Sequence, residues 1–148
     1  MSTEAESVSP TSPSANADWF LQSLVRMANE SSLEIGITLQ VSGMLVSGNL
    51  VSGKQYFEGF ANDFASPFAN DPETASAIKD SFGAYGEIYG PPKEGEPDRP
   101  APQFVHLKDA RFFNTAGNPI PGNKGVWWRG RICEVGGFSL GSLSANAG

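Results

Sequence analysis

Leu33, Ile35, Ile37, Leu39 and Val41 alternate without a break with Glu34, Gly36, Thr38 and Gln40. A period of two places the two sets on opposite sides of an extended chain, so Leu33–Val41 predicts a half-buried strand. Ser42–Gly43 follows as a tight turn, because Gly supplies the positive φ such turns need. Met44–Ser52 then returns as a second strand. Gly48 interrupts its pattern, as a residue at a bulge or sharp bend does. Ile35 to Gly53 carries no charge over 19 residues, long enough to span a bilayer. Gly36, Gly43, Gly48 and Gly53, together with Gln40 and Asn49, argue instead for two antiparallel strands.

Helical periodicity flanks this hairpin. In Asp18–Ser31 the residues Phe20, Leu24 and Met27 recur at spacings of four and three, with Leu21, Val25 and Ala28 widening the stripe. Asn16 or Asp18 is placed to cap the first turn. In Lys54–Ser66, Phe57, Phe60, Ala61 and Phe64 share a face until Pro67 ends the run. Asp71–Pro72–Glu73 starts another helix, with Asp as cap and Pro at the first helical position, and Gly83 ends it. Gly86 to Gln103 reads GEIYGPPKEGEPDRPAPQ, too rich in Pro and Gly for a regular element.

The last third returns to strands. Phe104–Phe113 is expected to point Val105 and Leu107 inward. Asn114–Asn123 is a loop, Gly125–Val135 a fourth strand, Gly136–Gly137 a hairpin turn and Phe138–Leu143 a short last strand. Gly and Pro make up 28 of 148 residues, against about 12% in average proteins, which favours short strands joined by turns. The expected fold is therefore mostly β with helices, an α+β domain. A helix and five bent antiparallel strands resemble a small Sm-like or SH3-like barrel, with a helical then Pro-rich insertion at 66–103 between strands two and three. Residues 17–143 form the expected single domain. Residues 1–16 and 144–148 are expected to be tails, the first because its Ser/Pro/Ala/Thr composition cannot support a core.

Composition removes several functions. One Cys, Cys133, and one His, His106, admit no intrachain disulfide and no Cys/His zinc site, so no metal and no cofactor is expected. A reducing, cytoplasmic setting fits that count. No glycine-rich turn has the spacing and Lys-Ser/Thr pair of a phosphate loop. The acidic residues Asp63, Asp71, Glu73 and Asp80 read as caps and solvated faces rather than a paired-carboxylate site. No enzyme is expected. Net charge is −6, poor for general nucleic-acid binding. It is uneven, with 5 Lys/Arg against 14 Asp/Glu in residues 1–102 and 5 against 2 afterwards.

Trp127–Trp128–Arg129–Gly130–Arg131 is the most pointed cluster. On a strand Trp128 joins Val126 and Ile132 toward the core, while Trp127, Arg129, Arg131 and Cys133 share the other face. Trp and Arg are the residues of interaction hot spots, and they also stack on bases. Arg129–Gly130 resembles the Arg-Gly step of an Sm motif, which keeps single-stranded RNA binding as the alternative function. The Asp-x-φ-Asn segment that would complete that base pocket is absent from Gly53–Phe57.

Three blocks carry a more specific resemblance: LEIGITLQVSGMLVSGNLVSGKQYF (Leu33–Phe57), FVHLKDARFF (Phe104–Phe113) and WWRGRICEVGGFSLGSL (Trp127–Leu143). In this order the chain resembles the U-type gas vesicle accessory proteins. The resemblance implies a non-catalytic factor of the gas-filled, protein-walled compartments that give microbes buoyancy. It would associate with the shell protein or other vesicle proteins, and with itself, and promote vesicle clustering. No membrane or nucleic acid is implied as a partner. His106 and Lys108 lie in the matching blocks and join Trp127, Arg129 and Arg131 as candidate binding residues.

Overall fold

The computed structural model describes residues 16–116, 118–119 and 124–143. The N-terminal tail (residues 1–15), the C-terminal tail (144–148) and part of the 114–123 loop lie outside the described residues. Helix α1 (Trp19–Ser31) leads into β1 (Ile35–Val41), β2 (Met44–Val51), α2 (Gly53–Ala65) and α3 (Pro72–Ala84). A 3-10 turn (Tyr85–Tyr89) and an irregular strap then reach β3 (Phe104–Phe113), β4 (Val126–Arg131), a 3-10 turn (Ile132–Glu134) and β5 (Val135–Leu140).

The helix starts follow local chemistry. Phe20 N donates to Asp18 Oδ1 at 2.9 Å, Gln55 N to Ser52 Oγ at 3.0 Å and Thr74 N to Asp71 Oδ1 at 3.2 Å. Each bond satisfies one N–H that a first helical turn leaves without a partner.

The strands form one antiparallel sheet in the order β4-β3-β2-β1-β5. β1 and β2 are joined at Ser42–Gly43, with Val41 opposite Met44 and Ile35 opposite Leu50. The β2–β3 register shifts between Ser47 and Asn49. A Cβ on Gly48 would come within 2.8 Å of the Lys108 carbonyl and 3.0 Å of Ala110 Cα, so the two backbones meet at the expected irregularity. β4 and β5 occupy the two edges and do not pair. The sheet is not closed, so the barrel expectation reaches only as far as five antiparallel strands.

Two further expectations are corrected. Gly136–Gly137 lies inside β5 rather than in a hairpin turn, because the chain does not reverse there: the 3-10 turn at Ile132–Glu134 ends β4, and β5 starts at Val135 in the same sense on the far edge of the sheet. In α1 the buried residues are Leu21, Val25 and Ala28, the flank of the expected stripe. They pack on Ile37, Leu39, Val46, Leu50, Val105, Leu107, Ala110 and Ile132. Trp19, Phe20 and Met27 are left exposed. An α1 that is apolar on most of its circumference does not itself record which side the sheet covers.

The strap is pinned rather than loose. Gln22 Nε2 donates to the Pro102 carbonyl at 2.9 Å, Arg26 Nη1 to the Arg99 carbonyl at 3.3 Å, and Ile132 N to the Gln103 carbonyl at 2.9 Å. Arg99 Nε closes a loop within the strap on the Gly90 carbonyl at 3.0 Å. These bonds fix the segment across α1 and the β3–β4 corner.

Candidate functional site

Alternate residues of β3 and β4 turn away from the α1 core. The register sets His106 opposite Arg129, and Leu107 opposite Trp128. Leu107 is buried and Trp128 packs against the core, so period two sends His106, Trp127 and Arg129 to the other face. There they meet α2 and the 3-10 turn that follows α3.

α2 approaches through a glycine. A Cβ on Gly59 would overlap the Trp127 indole, so the ring occupies the space a side chain would fill. Tyr56, one turn earlier, sits edge-on to Trp127 with centroids 6.3 Å apart. Of the sequence stripe, Phe60 and Phe64 face α3, with ring centroids 5.5 and 4.9 Å from that of Phe82, while Phe57 reaches the 3-10 turn at Tyr85, 5.9 Å away.

His106 is fully buried and caged by aromatic rings, with Tyr56 at 4.9 Å, Tyr89 at 5.1 Å and Phe57 at 6.0 Å between centroids. Arg129 Nη1 lies 3.1 Å from His106 Nε2 and donates to Tyr89 Oη at 3.2 Å. A guanidinium has no acceptor atom, so Nε2 must accept and the ring proton sits on Nδ1. Nδ1 is buried without a hydrogen-bond partner among the described residues. Burial, and then the Arg129 charge, pull the His106 pKa down to about 3. Burial raises the Tyr56 pKa, with Arg129 opposing. The Arg129 guanidinium stacks 3.7 Å from the Phe104 centroid and 5.5 Å from that of Phe57. Among the described residues, cation–π contact and neutral acceptors rather than a carboxylate hold its charge.

Of the five sequence candidates, the structure brings together Trp127, Arg129 and His106. Arg131 lies outside the cluster, exposed and 3.9 Å from Glu134. Lys108 is half-exposed, 3.9 Å from Glu34 Oε2, an oxygen that also accepts from Gln55. Tyr56, Tyr89 and Phe104 complete the cluster and were not singled out by sequence. Phe104 had a signal, since it shares the His106 side of β3. Tyr89 had none, because nothing in the Pro-rich stretch pairs it with a strand 40 residues on. No group of three or more His, Cys, Asp or Glu that could hold a metal occurs among the described residues, and no helix there is long and apolar enough to cross a membrane.

This arrangement positions charge and aromatic surface, with its one imidazole held neutral and out of reach of solvent. Compared with known proteins, residues 18–143 match the family model described as gas vesicle protein GvpU-like. No curated protein and no solved structure matches.

Proposed function

The chain belongs to the GvpU-like gas vesicle protein family, and from that membership we propose that it is a non-catalytic accessory protein that binds gas vesicles and promotes their clustering. The family match over 18–143 carries the reading. The contacts proposed are with the shell protein or other gas vesicle proteins, and with further copies of the chain, in the cytoplasm.

The surface supports this. Trp19 and Leu140 are 74% and 71% exposed, and Phe20 is 51% exposed. Phe20 touches Phe138 at 5.7 Å, so α1 and β5 share one apolar surface, and contiguous exposed apolar area is the mark of an interaction site. β5 is also a sheet edge, whose unpaired backbone groups are a template for another chain. The strand order, with a 3-10 turn leading into β5 beside β1, supports an Sm-like reading of the fold. The RNA alternative loses ground, because Trp127, the ring that would stack on a base, is packed against Gly59 of α2.

Flotation tests the proposal. The protein mixed with purified gas vesicles is expected in the buoyant layer, and the vesicles are expected to aggregate as protein is added. No enrichment in that layer at any salt concentration overturns it.

A further inference from the structure

The strap between the 3-10 turn at Tyr85–Tyr89 and β3 encloses space. Together with α1 and the β3–β4 corner it walls a cleft of about 370 Å³, within the size range of small-molecule sites. Ile88, Pro100, Pro102 and Phe104 make the lining largely apolar. The charged lining is Arg26, Arg99 and Arg129 against a single carboxylate, Glu30.

These charges do not balance. Glu30 lies 3.8 Å from Arg26. Among the described residues neither Arg99 nor Arg129 has a carboxylate within 4.0 Å. Arg99 donates to the Gly90 carbonyl, and Arg129 to Tyr89 and His106, all neutral. A partly buried guanidinium held by neutral acceptors keeps most of its attraction for an anion, since few counter-charges and little water screen it. The chain as a whole carries −6, which repels long polyanions at distance. What fits a local cationic cleft in an acidic protein is small.

We propose that this cleft binds a small organic anion, an apolar body carrying one carboxylate or phosphate group. The apolar body lies against Ile88, Phe104 and the strap prolines, and the anionic end meets the Arg99 and Arg129 guanidiniums. The Pro-rich strap is then the wall of a binding site, a role separate from the apolar α1–β5 surface.

Titration of the ¹⁵N-labelled full chain tests this, with sodium octanoate, octyl phosphate and neutral octanamide as probes. Either anion is expected to give saturable shifts in the amides of residues 88–90, 99, 101, 103 and 104, and the stronger of the two identifies the head group. Octanamide is expected to bind at least about tenfold more weakly, the scale of one charge-assisted hydrogen bond. Arg99→Ala, whose side chain makes one backbone contact within the strap, is expected to weaken anion binding by about tenfold with spectral changes in the unliganded protein confined to the strap. Arg131→Ala, outside the cleft, is expected to leave it unaltered. Equal binding of octanamide, shifts that map to Trp19, Phe20 and Leu140 instead, or no saturable shift with either anion overturns the proposal.

Discussion

Arg129 Nη1 sits 3.1 Å from Nε2 of His106, on the neighbouring strand and directly opposite in register. The pair has one stable protonation state, a charged guanidinium donating to a neutral imidazole. Protonating His106 would remove the acceptor, place two positive charges in contact and charge a group with no exposure to water.

That geometry makes folding pH-dependent. In the unfolded chain His106 takes up a proton near pH 6.5, whereas in the folded protein it resists until about pH 3. Between those values the unfolded state binds more protons, so stability falls as pH drops from about 6.5 toward 3. Relative to His106→Gln, wild type is expected to lose up to ~1.4 kcal/mol per pH unit in that window. Urea unfolding from pH 4 to 7.5 checks it, and a pH-independent difference between the two proteins contradicts it.

The Gly59–Trp127 contact gives a prediction of opposite sign to helix propensity. Gly→Ala in an open helix stabilises by roughly 1 kcal/mol. Here the new methyl overlaps the indole, and forced repacking costs about 1–3 kcal/mol. Gly59→Ala is expected to lower the melting temperature and alter Trp fluorescence. A more stable variant with unchanged emission would mean that α2 stands off the sheet.

Ser52 anchors the start of α2 through Oγ, at a buried position. Ser52→Ala is expected to cost about 1 kcal/mol, the usual loss for an N-cap. Ser52→Asp, which keeps an acceptor, is expected to recover part of the cap bond. Chemical denaturation of the two variants beside wild type measures this.

The proposed self-association through the α1–β5 surface must respond to charge placed there or to apolar area removed from it. Leu140→Lys and Trp19→Ser are expected to lower the average mass seen by light scattering, with circular dichroism unchanged. Arg131→Ser, away from that surface, is expected to leave the mass as in wild type. Equal masses for all of these proteins would remove the surface from the argument.

The β1–β2 hairpin was legible because each of its signals is local: strict alternation, a turn and a glycine at the irregularity. The capped starts of α1 and α3 were legible for the same reason. Which side of α1 is buried was not. Leu21, Val25 and Ala28 compete with Phe20 and Met27 on equal hydrophobic terms, and only the position of the sheet decides. The Trp127–Arg129 face was readable from period two along β4. Its roof was not, because Tyr56 belongs to α2 and Tyr89 to a turn whose docking depends on tertiary contacts. The strap was legible only as irregular chain. Its Pro and Gly content forbids regular structure but says nothing about whether side chains elsewhere, here Gln22 and Arg26, hold it down.

The 3-10 turn at Ile132–Glu134 has a geometric consequence. It joins Arg131, at the Phe104 end of one edge strand, to Val135, at the Val41 end of the other. In a flat sheet four inter-strand gaps put those edges ~19 Å apart, and the offset along the strands adds roughly another 20 Å. Four residues of chain reach at most ~14 Å. The sheet therefore has to coil until diagonally opposite corners come together, without a hydrogen bond between the two edge strands. The curvature is set by the length of that tether, and the rest of the β5 rail, toward Leu140, stays open to whatever docks there.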